Sequence, residues 1–202
     1  MFKYQFMSQF TLFSLQEAPP VYPSGFRYTE DLITPAEETL LLKIIEALPF
    51  KHFEYEGYEG NRRVMSYGWS YDFNTHTLHP AEPIPSFLHD LRAKAAAFAD
   101  MDANDLQQAI VTEYAPGAGI GWHRDRPMFE KIVGVSLGAS CTFRLRLKQG
   151  LVTGKDAWDR INLTASPRSA YLISGPARTE WEHSIPPVEE LRYSITFRNY
   201  KP

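Results

Sequence analysis

The sequence predicts an α+β fold that is mainly β, an antiparallel sandwich or jelly roll braced by helices on its N-terminal side. Three observations carry this expectation. Two amphipathic helical patterns lie before residue 100. From about Gln107 onward, short apolar or alternating runs replace them, and glycines and prolines punctuate those runs at close intervals.

The first helix begins at Thr34-Pro35-Ala36-Glu37. Threonine suits the N-cap, proline the first turn and glutamate the return bond of a capping box. Leu40, Leu41, Ile44, Ile45 and Leu48 then follow at helical spacing, and Pro49 closes the segment. A second helix is expected over about Ser86–Ala99, with Phe87, Leu88, Leu91, Ala95 and Phe98 on one face. Between the two, residues 51–80 are aromatic and polar, with strand-like patches over Arg62–Tyr71, and are read as a lid. Strands are then expected at Ala109–Tyr114, Ile132–Leu137, Cys141–Leu147, Arg160–Leu163, Ala170–Ile173 and Arg192–Arg198. A proline-rich loop, Ala18–Gly25, leads in. Residues 1–25 are therefore read as an extension and 26–202 as a single domain with its core at about 105–202.

A chain of 202 residues suffices for one well-cored domain. The formal net charge of -3 excludes a global basic field of the kind that binds duplex without selectivity, but leaves room for a local basic mouth. The lone Cys141 excludes an intrachain disulfide and a thiolate zinc cluster, and fits a reducing cytoplasm. Residues 1–15 lack the pattern of a signal peptide, and no run approaches the ~20 apolar residues of a membrane span. A cytoplasmic monomer without a membrane partner is expected.

His123-Arg124-Asp125, His183 and the segment Arg192–Arg198 are the candidates for chemistry. Two imidazoles and one carboxylate can occupy one face of a six-coordinate ferrous ion and leave three positions open. On a strand, His123 and Asp125 would share a face while Arg124 points away, and His183 is the best third ligand. By itself a His-x-Asp tripeptide is common, and its bland reading is a surface pair. In the last strand Arg192, Ser194, Thr196 and Arg198 share one face, with Tyr193, Ile195 and Phe197 on the other. The polar face reads either as solvated or as a pocket for a small dianion gripped by arginine. Cys141 alternates with Phe143, Leu145 and Leu147 and reads as buried, which puts Arg144, Arg146 and Lys148 on the opposite face, solvated or rimming a cleft. His76-x-x-His79 sits in a proline-flanked loop without a carboxylate partner and reads as non-metal.

With Tyr114-Ala115-Pro116-Gly117 ahead of the tripeptide, Val135-Ser136-Leu137-Gly138 after it, Arg178 before Trp181-Glu182-His183, and the Arg192–Arg198 ending, the chain resembles the AlkB-like ferrous and 2-oxoglutarate-dependent dioxygenases over about residues 60–200. The resemblance implies a double-stranded β-helix core holding Fe(II) through His123, Asp125 and His183. It implies that Arg192 grips the distal carboxylate of 2-oxoglutarate, with Tyr114, Ser194 and Arg198 completing that site. The implied reaction uses O2, converts 2-oxoglutarate to succinate and carbon dioxide, and hydroxylates an N-alkyl carbon so that formaldehyde leaves. The implied substrate is an alkylated base in single-stranded DNA or RNA; the alternatives are a protein side chain or a small molecule, or a binding module that has kept the fold. Trp69 and Tyr71 are candidates for stacking a flipped base, and Arg62, Arg63, Arg124, Arg126 and Arg178 for contacts to the substrate. The prototype's base-reading carboxylate, two positions after the metal aspartate, is here Pro127. Thr112 and Ser194 replace its asparagines.

Overall fold

The computed structural model describes residues 21–201 except 56, 73, 153 and 154; the expected extension 1–25 lies outside the described residues up to position 20. Among the described residues, thirteen strands and three α-helices follow one another as β1 (Phe26–Thr29), α1 (Pro35–Ile45), β2 (Lys51–Tyr55), β3 (Tyr58–Tyr67), β4 (Trp69–Asp72), β5 (Thr77–Pro80), α2 (His89–Phe98), β6 (Gln108–Tyr114), β7 (Ile120–His123), β8 (Phe129–Gly138), β9 (Cys141–Val152), β10 (Lys155–Ala165), β11 (Ala170–Ile173), α3 (Gly175–Thr179), β12 (Glu182–Ile185) and β13 (Arg192–Tyr200). Three strand groups result: a seven-stranded sheet in the order β1-β11-β8-β13-β6-β3-β2, a four-stranded sheet β10-β9-β12-β7, and the ribbon β4-β5. Every pairing is antiparallel. This is the predicted mainly-β jelly roll.

Helix α1 starts as its sequence demands. The Thr34 amide donates to Glu37 Oε2 at 2.8 Å, and the Glu37 amide donates to Thr34 Oγ1 at 3.2 Å, so each side chain accepts from the other residue's otherwise orphaned amide. Helix α2 is preceded by a single 3-10 turn over Ser86–Leu88, within the expected boundary. Three strands add to the sequence reading. Phe26–Thr29 adds β1 to the edge of the large sheet beside β11, and β2 and β3, within segment 51–80, extend the other edge. Of that segment, the β4-β5 ribbon alone stands outside the sheet.

The pleat of the large sheet divides its side chains into two populations. One face sends Tyr67, Val111, Val133, Val135, Leu137, Tyr193, Ile195 and Phe197 into a core shared with Leu41 and Ile45 of α1 and Leu91 and Ala95 of α2. The other face looks toward the four-stranded sheet, where Phe143, Leu145, Leu163 and Ile185 join Tyr114, Ile132, Tyr171 and Ile173 in a second core. Between the two sheets this second core opens into a cavity of about 1180 Å³.

Candidate active site

Strand β7 ends at His123, and Asp125 lies just past it in irregular chain, so the two do not share a strand face as expected. They nevertheless converge. His123 is the direct cross-strand partner of His183 on β12, and the ring centroids lie 4.2 Å apart. Asp125 Oδ2 approaches His183 Nε2 at 3.4 Å. One ligand atom from each of His123, Asp125 and His183 falls within 4.8 Å of the others, and this is the one such group of three found among the described residues.

What holds Asp125 is a side chain. Arg198 on β13 donates from Nε at 3.1 Å and from Nη2 at 2.9 Å, both to Oδ1, which leaves Oδ2 turned toward the imidazoles. Burial alone would raise this carboxyl; the charge and hydrogen bonds of Arg198 foremost outweigh it and hold it well below the usual carboxylate range. His123 Nδ1 lies 2.9 Å from the carbonyl of Gly121. A carbonyl only accepts, so Nδ1 carries the proton and Nε2 keeps its lone pair for a ligand. His183, stacked on Phe143 at 5.6 Å and 17°, is pushed down to about 3 by burial first and by His123 next. His123 is lowered mainly by burial. Both imidazoles are thus neutral donors, the form a divalent metal requires. Two neutral nitrogens and one ionised oxygen match a ferrous facial site.

Beside it, β13 carries a second feature. Arg192 is only 1% exposed, and its guanidinium lies over the Tyr114 ring at 4.8 Å. Nη2 donates to Ser136 Oγ at 3.0 Å, but Nε and Nη1 are buried with no partner. A buried cation with orphaned donors costs several kcal/mol unless an anion is supplied. Arg192 therefore fits a carboxylate, and the residues present fit a dicarboxylate bound beside a metal. Ser194, Thr196 and Arg198 line the cavity on the same face, which is not solvated.

The remaining candidates divide. Arg62 lines the cavity with its guanidinium 3.8 Å from the Phe53 ring centre, and burial lowers its pKa. Tyr71 and Arg126 line the cavity as a cation–π pair at 4.8 Å. Arg178 is buried, lines the cavity and donates to the carbonyl of Arg126. Arg124 lines the cavity and reaches the Glu180 carbonyl at 3.4 Å. Trp69 does not line it: its ring meets Tyr200 edge-on at 5.8 Å, and its carbonyl accepts from Gln108. Arg63 points to the opposite face, where Nε and Nη2 bind the Glu113 carboxylate at 2.7 and 2.8 Å. Its parity relative to Arg62 already forbids both from facing one cavity.

Sequence reasoning passed over Tyr171, which lines the cavity from β11 directly opposite Gly134. A Cβ at Gly134 would stand 2.2 Å from the Tyr171 ring, so glycine there gives the ring its place. An unbroken Val-Gly-Val in the middle of a buried strand was the available signal.

Comparison with known proteins agrees with this geometry. The model of the 2OG-Fe(II) oxygenase superfamily matches residues 25–198. An uncharacterized protein of Acanthamoeba polyphaga mimivirus is 31% identical over 191 residues, covering 87% of this chain and 85% of its own. A protein named alkylated DNA repair protein ALKBH8 homolog, from Arabidopsis thaliana, is 29% identical across 80% of this chain and 51% of its own length. The Xenopus tropicalis protein named tRNA (carboxymethyluridine(34)-5-O)-methyltransferase alkbh8 is 27% identical across 83% of this chain and 26% of its own. The chain thus spans most of the viral relative but only about half and a quarter of the other two. Among solved structures, OsALKBH1 superposes with a TM-score of 0.62 at 16% identity, over 90% of this chain and 99% of that one, which supports the fold. With its matched family and its His-Asp-His cluster, the chain belongs to the 2OG-Fe(II) oxygenase superfamily, as an AlkB-like dioxygenase using Fe(II), 2-oxoglutarate and O2.

Proposed function

We propose that this protein removes alkyl groups from the nitrogens of nucleobases in single-stranded DNA or RNA. The observation that carries the substrate class is the lining of the cavity. Tyr71, Arg62, Arg124 and Arg126 line the same cavity as His123, Asp125 and His183. An aromatic ring and several guanidiniums suit a flipped base and its flanking phosphates. The names of the Arabidopsis relative and of a Danio rerio relative, probable RNA/DNA demethylase ALKBH6, support the same class.

In this reading His123, Asp125 and His183 hold the iron. Arg192 takes the distal carboxylate of 2-oxoglutarate through its orphaned Nε and Nη1, Tyr114 and Ser194 orient that co-substrate, and Arg198 keeps Asp125 aimed. When bound, iron with 2-oxoglutarate and O2 supplies an oxidation that places a hydroxyl on the N-alkyl carbon while the co-substrate becomes succinate and CO2. The hydroxymethylated nitrogen then loses formaldehyde and regains its proton. Phe143, Tyr171 and Ile185 line the chamber with apolar surface that limits water. The buried lone thiol of Cys141 is compatible with a cytoplasmic setting; among the described residues no helix is long and apolar enough to cross a membrane. We further propose that 26–202 acts as one monomeric domain.

The test is a panel of N-methylated single-stranded oligonucleotides and methylated peptides, read by mass for loss of the methyl group together with iron-dependent succinate formation. Demethylation of oligonucleotides, abolished in His123→Ala and Asp125→Ala, is expected. Turnover on peptides with none on any oligonucleotide would replace the nucleobase reading with a protein side-chain oxygenase.

A further inference from the structure

The outer face of the four-stranded sheet carries a ladder that the site above does not use. On β9, Arg144, Arg146 and Lys148 alternate with the buried Phe143 and Leu145 and so point away from the cavity. Trp122 of β7 and Trp158 of β10 interleave with them. The Arg144 and Arg146 guanidiniums lie 4.8 and 4.5 Å from the Trp122 ring centre, Arg146 lies 4.0 Å from Trp158, and Lys148 lies 5.9 Å from Trp158. Arg160 stands directly opposite Arg146 across the β9-β10 pair. The cations of β9 recur every ~6.7 Å along the strand.

Four cations face two carboxylates here. Glu182 binds Arg146 at 2.6 Å and Asp156 binds Lys148 at 2.8 Å, so Arg144 and Arg160 have no carboxylate partner among the described residues. The patch is thus locally positive on a chain whose net charge is -3. At one end Trp122 also lines the catalytic cavity. At the other, Trp158 and Arg160 border an open hollow of about 500 Å³ that Tyr22, Asp159 and Trp181 also line. The ladder therefore runs from the mouth of the cavity to an aromatic recess on the outer surface.

We infer that this face is a track for the single-stranded nucleic acid flanking the target base. Arg144 and Arg160 contact phosphates, Trp158 offers a ring on which a base stacks, and the recess receives that base. Interleaved rings and cations are what a single strand requires, since every base has a π-face and every linkage a negative charge. An acidic peptide would satisfy the cations but brings no base to stack beside Trp158. The inference rests on the nucleobase reading above and adds where the strand lies.

Binding of an unmodified fluorescent single-stranded 12-mer, measured by anisotropy on the full chain across a salt series, tests it. Trp158→Ala is expected to weaken binding by on the order of tenfold, with Trp158→Phe restoring most of it. Arg144→Glu with Arg160→Glu is expected to lower the slope of log affinity on log salt by about 1.4, two single-strand phosphate contacts. Basal succinate formation without nucleic acid should stay at the wild-type rate in all three, which shows that the variants are folded. If wild type binds the strand and these variants bind it with the same affinity and slope, the track is wrong and the nucleobase reading survives. If wild type binds an acidic peptide but no oligonucleotide, both fall.

Discussion

The two faces of the large sheet are built from the same strands, residue by residue in alternation, yet they answer to different demands. Ile195 and Phe197 are buried among α1 and α2; their neighbours Ser194, Thr196 and Arg198 line the catalytic cavity. The helix-backed face is mainly apolar, with its sheet ion pair, Arg63 and Glu113, satisfied. The cavity face keeps a buried guanidinium with two unpaired nitrogens, an arrangement that costs stability while the site is empty of anions. One face of each strand offsets what the other gives up, so stability and activity should respond to mutation in opposite ways.

Arg192→Leu should separate them most sharply. The half-saturating 2-oxoglutarate concentration is expected to rise about 10²–10³-fold, as for truncating one partner of a buried charge pair. The thermal midpoint should hold or climb, because an uncompensated buried charge has gone. A midpoint that drops by many degrees would show the arginine to be chiefly structural. Leu137→Ala, on the helix-backed face, should do the reverse. It is expected to cost about 2–5 kcal/mol in urea denaturation, with turnover per folded molecule at low temperature unchanged.

Arg198→Gln tests the seam between the faces. It leaves all three candidate ligands in place but removes what aims Asp125. Iron affinity, read by competition with a chelator, should weaken about 10–100-fold. Unaltered affinity would mean that the chain after β7 positions the carboxylate by itself.

Glu37 gives the smallest effect. Lys94 first, then the Thr34 amide and hydroxyl, hold its carboxyl down from 4.5 to about 2. A depressed carboxyl contributes stability above its unfolded value, and that contribution fades as pH falls from about 4.5 toward 2. In Glu37→Gln the loss of stability between pH 5 and pH 3 should therefore be shallower than in wild type, by urea midpoint. An identical acid slope would remove this cap from the account.

These contrasts also show how far the sequence could be read. The last strand was legible on both faces because strict alternation of Arg, Ser, Thr and Arg with Tyr, Ile and Phe has one geometric solution in a sheet. The capping box at Thr34 was legible because its partners are three residues apart. Asp125 beyond the end of β7 was not: the tripeptide suggests a continuous strand, and the guanidinium that replaces ladder hydrogen bonds comes from 73 residues away. The pairing of Arg63 with Glu113 was hidden for the same reason, being set by the β3-β6 register. The outer ladder could be half seen. Arg144, Arg146 and Lys148 alternate plainly, but Trp122 and Trp158 join them only once β7, β12, β9 and β10 lie side by side.

The position of Asp125 has a further consequence. Both histidines sit on paired strands, so their backbone amides belong to a lattice that opens slowly; residues 124–126 are tied to that lattice chiefly through side chains. His123 and His183 would offer a metal two nitrogens fixed by the β7-β12 pairing, and Asp125 an oxygen held through Arg198. Amide exchange at residues 124–126 is expected to slow when Fe(II) is added while that at 120–123 hardly moves, and a weakened Arg198 tether is expected to shorten the time for which the iron stays bound.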